Sequence, residues 1–288
     1  MRLSRLRVIL LTGAWVAVCT CCPVCQAAKR RAPRYQRRSL ETIKTEYGHY
    51  VRYVPDRFRR PIRPLVVVHG SIGKEETALD LARKFAERWI PVAERHGVVL
   101  IAPAFDKSRF GGYRHLKGKT MGADDFVFRI LADLAEDIGR VDQKIYLYGH
   151  SAGGQYAHRF LVTHPTRVRA AAISAPGNYA YPDDMIGWPY GRKNSPNPNG
   201  FIEASLLPAT VVIGSKDVIP KNMGGLFQKG KNRVERAHHW VDGMRELAKA
   251  NRKKPKIALD IVDGVGHNSR RLTPRCAELL FADRKRRR

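Results

Sequence analysis

Tyr146-Leu147-Tyr148-Gly149-His150-Ser151-Ala152-Gly153-Gly154 is the most informative segment of this 288-residue sequence. Its apolar first half predicts a buried strand, Gly-x-Ser-x-Gly predicts a sharp turn, and residues 155–163 predict a helix. Gly149 and Gly153 are expected here because a side chain at either position would clash inside so tight a turn. A strand, turn and helix in this order expose the hydroxyl of Ser151, which is therefore a candidate nucleophile.

The segments on either side of this turn alternate between short apolar strands and amphipathic helices. The predicted strands lie at 41–46, 49–54, 65–68, 97–101, 168–174, 210–214 and 256–262, and further helices at 77–93, 124–138, 232–250 and 273–281. This alternation predicts an α/β fold with a mostly parallel sheet and helices on both faces. Two long loops, 105–119 and 178–207, are expected to shape a pocket above the strands.

A serine hydroxyl needs a base to take its proton, and the base needs an acid to orient it. In this architecture the acid and the histidine follow the serine along the chain, each in a loop after a later strand. Asp217 follows the strand at 210–214 and His267 follows the last strand, so they are the expected acid and base. Asp263, four residues before His267, is the alternative acid.

Acyl transfer also needs N–H donors for the negatively charged oxygen that develops on the substrate. The amide of Ala152, at the start of a helix, is one candidate. The second is the amide of Ser71, in the turn that follows the strand at 65–68. A helix-capping role for Ser71 is compatible with this one.

Five further residues are candidates for substrate binding. His69 and Gly70 precede Ser71, and His150 precedes the candidate nucleophile, where we expect it under the pocket. Tyr113 and Trp188 lie in the two long loops and could stack on an aromatic acyl group or a sugar ring. Packing in the interior is the alternative for both aromatic rings.

Taken together, these features resemble the α/β-hydrolase superfamily, and within it the secreted polyhydroxybutyrate depolymerase and feruloyl or acetylxylan esterase-like group. The resemblance covers roughly residues 50–280. It rests on His69-Gly70 after a Val-rich strand, Asp125-Phe126, residues 141–146 and 149–154, and Ala175-Pro176-Gly177. It implies a carboxylic ester hydrolase, acting on a small-molecule or polymeric ester through an acyl-serine intermediate, with no metal and no other cofactor.

The chain also departs from this group in two respects. It has no disulfide available and no polymer-binding appendage, although such features are common there. The Ser-x-Gly-Gly end of the turn is shared with prolyl-oligopeptidase-like peptidases and dienelactone hydrolases. A serine peptidase therefore stays open as an alternative to an esterase.

Residues 1–27 are organised like a secretory signal peptide. Three arginines within the first seven residues precede an apolar run at 8–22, and small residues end at Ala27. The run is too short and too interrupted to span a membrane well. We predict cleavage after Ala27 and a secreted or periplasmic protein, with a retained membrane or lipid anchor as the alternative. Four of the five cysteines would be removed, leaving Cys276 and no internal disulfide.

The chain is strongly basic, with 53 Lys and Arg against 26 Asp and Glu and a formal charge of +27. We predict a disordered basic arm at 28–40, a catalytic domain at 41–282 and a basic tail at 283–288. Such a charge attracts polyanions, so the basic ends are expected to meet an anionic surface or polysaccharide, without specific nucleic-acid binding. Basicity for solubility alone, and a polyanion-binding protein without catalysis, are the alternatives.

Overall fold

A computed structural model describes residues 35–219 and 229–282 of the chain. The predicted signal peptide and basic tail lie outside the described residues, as does most of the predicted arm at 28–40. The end of that arm differs from the expectation, because the amide of Arg38 donates to the carbonyl of Val54 (2.8 Å) and a strand begins at Leu40. Backbone hydrogen bonds at the sheet edge therefore hold these last residues despite their basic composition.

The described residues form one sheet of eight strands. The strands are β1 Leu40–Thr45, β2 Gly48–Tyr53, β3 Pro64–Val68, β4 Val99–Ala104, β5 Ile145–His150, β6 Val168–Ser174, β7 Ala209–Gly214 and β8 Ala258–Val262. Their order is β1-β2-β4-β3-β5-β6-β7-β8. β2 is antiparallel to both β1 and β4, and every other neighbouring pair is parallel. The predicted mostly parallel sheet is confirmed.

Seven α-helices connect these strands within the described residues. They are α1 Ala78–His96, α2 Lys107–Phe110, α3 Ala123–Ile138, α4 Ala152–Thr163, α5 Gly200–Ser205, α6 Arg233–Ala250 and α7 Ser269–Leu280. In this part of the chain, none of the helices combines the length and the apolar character needed to cross a membrane.

Strand β5 shows how helices come to cover both faces of the sheet, because its side chains alternate between the faces. On one face, the ring of Tyr148 packs against Trp89 of α1, with ring centroids 4.5 Å apart. The same tyrosine hydroxyl lies 3.4 Å from the hydroxyl of Thr273 in α7. On the opposite face, Gly149 meets Gly153 of α4. The predicted helices on both faces are confirmed.

Several element ends differ from the sequence prediction. Helix α7 begins at Ser269, four residues early, because the side chain of Asn268 accepts the amide of Arg271 (3.1 Å) and caps the helix. Helix α4 begins at Ala152, as expected for the residue that follows the candidate nucleophile. The loop predicted at 105–119 contains α2 and a short 3-10 turn, Tyr113–His115. These local hydrogen bonds leave little trace in the hydrophobic pattern.

Cys276 lies on the buried side of α7 and has no disulfide partner within the described residues. Burial raises the pKa of its thiol to about 12. The thiol therefore stays protonated at neutral pH and behaves as a small apolar side chain.

Candidate active site

The turn between β5 and α4 holds Ser151 in a strained backbone conformation, with φ 56° and ψ −112°. The amide of Ser151 donates to the carbonyl of Ser174 at the end of β6 (2.8 Å), which anchors the turn on the sheet. A Cβ atom at Gly149 would overlap the carbonyl oxygen of Gly153, and one at Gly153 would overlap that of Val68. The prediction that both positions must be small is confirmed.

The structure brings the predicted serine, histidine and aspartate together in one chain of hydrogen bonds. The Nε2 atom of His267 lies 3.0 Å from Ser151 Oγ, and its Nδ1 atom lies 2.7 Å from Asp217 Oδ2. The alternative acid, Asp263, is exposed and accepts a hydrogen bond from Ser215 Oγ (3.0 Å). The geometry therefore favours Asp217 as the partner of His267.

Two turns that bind each other carry Asp217 and His267. The amide of Lys216 donates to the carbonyl of Val265 (2.9 Å), and the amide of Gly264 donates to Ser215 Oγ (2.9 Å). These cross-connections fix the distance between the acid and the base at the carboxyl ends of β7 and β8.

Asp217 is buried beside a second hydrogen-bond donor, Arg233, which no sequence motif predicted. Arg233 Nη1, at the first residue of α6, donates to Asp217 Oδ1 (2.9 Å). Burial alone would raise the pKa of Asp217, but the hydrogen bonds and charges of His267 and Arg233 outweigh burial and lower that pKa below its ordinary value. Asp217 is therefore ionised at neutral pH, and both of its oxygens have a donor.

The turn after β3 places the backbone of Gly70 beside the nucleophile, since a Cβ atom there would lie 3.7 Å from Ser151 Cβ. The carbonyl of Gly70 accepts hydrogen bonds from His69 Nδ1 (2.7 Å) and from the hydroxyl of Tyr113 (2.8 Å). In a trans peptide the following N–H points away from the carbonyl. The amide of Ser71 therefore points away from the His69 ring.

His69 is fully buried, and burial lowers its pKa to about 4, so the ring is neutral at neutral pH. Its Nε2 atom accepts the amide of Phe105 (3.1 Å), and an atom that accepts cannot also carry the proton. The proton is therefore on Nδ1, which donates to the Gly70 carbonyl. His69 was predicted to bind substrate, but the structure places it behind the turn, where it contacts the backbone.

Ser71 and Ala152 both line an open cavity of about 110 Å³. Neither amide donates a hydrogen bond to any acceptor in residues 35–219 or 229–282. Two unoccupied backbone donors beside a serine hydroxyl are the arrangement that an oxyanion requires. The remaining walls are apolar or cationic, formed by Ile72, Phe105, Phe110 and Tyr113 together with Lys107 and Arg114.

Of the other predicted substrate-binding residues, the structure places one in the cavity wall and two elsewhere. Tyr113 lines the cavity, although its hydroxyl donates a hydrogen bond to the carbonyl of Gly70. His150 is buried; its Nδ1 atom lies 2.9 Å from Ser174 Oγ, its ring packs 4.8 Å from that of His267, and burial lowers its pKa to about 3. Trp188 is half-buried, packs against the core and is not part of the cavity wall. His150 therefore packs against the ring of His267 and does not form the floor of the cavity.

Within the described residues, His, Cys, Asp and Glu side chains form no group of three that could hold a metal ion.

The chain matches no known protein-family description, and no curated protein is similar to it in sequence. Solved structures do resemble it. The poly(aspartic acid) hydrolase-1 of Sphingomonas sp. KT-1 is 22% identical over 85% of this chain and all of the other, with a TM-score of 0.74. A poly(3-hydroxybutyrate) depolymerase of Bordetella parapertussis is 24% identical over 82% of this chain and 84% of the other, with a TM-score of 0.68.

A ferulic acid esterase is 15% identical over 85% of this chain and 97% of the other, with a TM-score of 0.54. At these identities, the similarity concerns the fold. Each of these similarities covers 82% or more of the chain. Together with the strand order and the turn at Ser151, they establish that this chain has the α/β-hydrolase fold.

Proposed function

We propose that the chain is a serine hydrolase of carboxylic esters. The observation that carries this proposal is the hydrogen-bond chain from Ser151 through His267 to Asp217, beside the two free amides of Ser71 and Ala152. Esterases and a polyester depolymerase among the similar structures support an ester as the substrate class.

In the first half of the reaction, Ser151 Oγ attacks the ester carbonyl carbon as His267 Nε2 takes the hydroxyl proton. Asp217 stabilises the imidazolium, and the Ser71 and Ala152 amides stabilise the oxyanion. The tetrahedral intermediate then collapses, and His267 returns the proton to the leaving alcohol. A water molecule repeats the sequence on the acyl-serine, losing its proton to His267, and the acid is released from Ser151.

Amide hydrolysis by the same residues is a second candidate function. It is favoured by the poly(aspartic acid) hydrolase among the similar structures. Esters have the better leaving group, so an ester hydrolase need not cleave amides, whereas a serine peptidase normally cleaves both.

We test the proposal with a fluorophosphonate, which phosphorylates an activated serine irreversibly, and with 4-nitrophenyl pentanoate and its anilide as ester and amide substrates. We expect one adduct per chain by intact-mass spectrometry, on the peptide that contains Ser151, and loss of ester turnover in proportion to labelling. The control is Ser151→Ala, which should take no label.

Turnover that persists after complete labelling of Ser151, or an adduct on another residue, would contradict the assignment. Cleavage of the anilide at a rate comparable to that of the ester would favour the second function, and binding without any turnover would favour a non-catalytic protein.

The intact mass also tests export, which we propose from the first 27 residues. A chain that begins at Ala28 supports cleavage, and a full-length chain contradicts it.

Tyr113→Phe is expected to lower kcat about tenfold while KM changes little. The hydroxyl of Tyr113 is one of two donors that hold the Gly70 carbonyl, and its loss lets the Ser71 amide move from the position that stabilises the oxyanion. Removing an oxyanion donor itself costs about a hundredfold or more, so misplacing one costs less. Steady-state kinetics with 4-nitrophenyl pentanoate measure the effect.

Tyr181→Phe is the matched control, since it also removes a buried tyrosine hydroxyl that donates to a backbone carbonyl, that of Lys229 (3.2 Å). We expect the two variants to lose similar stability and only Tyr113→Phe to lose turnover. Equal kcat values for both variants would show that the Gly70 carbonyl does not depend on Tyr113.

A further inference from the structure

The acyl side of the proposed reaction can be located from the position of the base. The leaving alcohol must receive its proton from His267 Nε2, so it leaves on the side of His267. The cavity of about 110 Å³ is lined by Ser71 and Ala152, which carry the two proposed oxyanion donors, and His267 is not among its wall residues. The cavity therefore receives the acyl chain.

This cavity, of about 110 Å³, is small and suits a short acyl chain. Its inner wall is apolar, with Phe105 and Tyr113 stacked 4.9 Å apart. Two cationic residues, Lys107 and Arg114, complete the wall, and no acidic residue in the described chain lines it.

The cations around this cavity belong to a loop with a large excess of positive charge. Residues 105–119 contain five basic side chains and one acid, Asp106. Asp106 is already used, because its Oδ1 atom accepts the amide of Arg109 (2.9 Å) and the hydroxyl of Ser108 (2.5 Å) at the start of α2. Within residues 35–219 and 229–282, none of the five cations forms an ion pair.

Some other cations of the fold do form ion pairs with acids close to them. Arg52 pairs with Glu41 and Asp137, and Arg275 pairs with Asp260 and Glu278. Among the described residues, no ion pair therefore balances the positive charge at the cavity. A partly enclosed, apolar cavity with unbalanced cations on its wall attracts an anion more strongly than an open surface does.

We propose that the cavity selects short acyl groups that end in a carboxylate, so that the preferred substrates are half-esters of dicarboxylic acids. The methylene groups of such an acyl chain lie on the aromatic wall, and its carboxylate meets Arg114 and Lys107. Arginine can bind a carboxylate through two parallel hydrogen bonds, and lysine adds a point charge. This inference rests on the proposed function, since it names the substrate of the same Ser151 site.

The test compares mono(4-nitrophenyl) glutarate with 4-nitrophenyl pentanoate, which have the same leaving group and the same number of acyl carbons. The readout is the ratio of their kcat/KM values after the uncatalysed rates are subtracted. We expect a ratio of at least about 10 for the unmodified protein, since a hydrogen bond to a charged group is worth tenfold or more. The ratio should fall in 1 M NaCl, where charges are screened beyond about 3 Å.

Lys107→Gln/Arg114→Gln should lower the ratio at least tenfold. Lys253→Gln/Lys254→Gln removes the same charge from exposed positions just after α6 and should leave the ratio unchanged. A ratio near one in the unmodified protein, or an equal fall in both double variants, would overturn the inference while the ester hydrolase stands. No turnover of either ester, or turnover of the pentanoate that survives Ser151→Ala, would overturn the proposed function and the inference with it.

Discussion

Ser151→Ala is expected to lower kcat/KM for 4-nitrophenyl pentanoate about a millionfold. Without Oγ no acyl-serine can form, and His267 has no hydroxyl to deprotonate. Removal of the serine from such a constellation has cost about that factor in a serine protease. The fold should survive, because alanine keeps the Cβ atom and the strained φ of 56° is already accommodated by the turn. Kinetics and thermal unfolding of the purified variant measure the two expectations separately.

Ser108→Ala is the control, since it removes an exposed serine hydroxyl beside Lys107 of the cavity wall. We expect its kcat/KM to stay within about threefold of the unmodified protein, as is usual for a surface substitution. If Ser151→Ala kept more than 1% of the activity while remaining folded, a different nucleophile would be required.

Asp217→Asn is expected to lower kcat about ten-thousandfold, by reversing the tautomer of His267. Arg233 can only donate, so it will hold the amide oxygen of the new asparagine and turn the amide NH₂ towards His267 Nδ1. Nδ1 must then accept, which moves the ring proton to Nε2, the atom that faces Ser151 Oγ. A base that already carries its proton cannot take another, and this substitution costs about 10⁴ in a serine protease.

Asp263→Asn is the control for that result, because Asp263 was the alternative acid. It carries the same side chain as Asp217 and differs from it only in its position. Its carboxylate contacts Ser215 and not the histidine, so we expect kcat within about threefold of the unmodified protein. The reverse pattern, with Asp263→Asn inactive and Asp217→Asn active, would reassign the acid. Steady-state kinetics of both variants at one pH, above neutrality, decide between them.

Much of the fold and of this constellation can be predicted from the sequence because the information is local. The Gly-x-Ser-x-Gly turn needs small residues at fixed positions, and the structure shows the carbonyl oxygens that require them. Asp217 and His267 each follow a short apolar strand, and the carboxyl ends of parallel strands lie at one edge of a sheet. Strand order alone therefore brings them towards Ser151.

The residues that were missed or misplaced depend on long-range packing. Arg233 is the first residue of an ordinary charged helix, and its ion pair with Asp217 has no counterpart in the hydrophobic pattern. The sequence places His69 in the correct turn, but its ring direction is set by contacts with Phe105 and Tyr113, with centroids 6.0 and 5.3 Å away. Trp188 could not be assigned, because residue type does not distinguish a packed ring from a binding one.

The buried thiol of Cys276 determines how this fold responds to oxidants and reductants. A thiol whose pKa is raised to about 12 and whose side chain is buried reacts with neither glutathione nor air. If the first 27 residues are removed, as we propose, Cys276 is the one sulfhydryl left in this sequence, so no internal disulfide could complete the fold or be opened by reductants. The processed chain would then keep its structure across compartments of very different redox potential, with no need for an oxidoreductase during assembly.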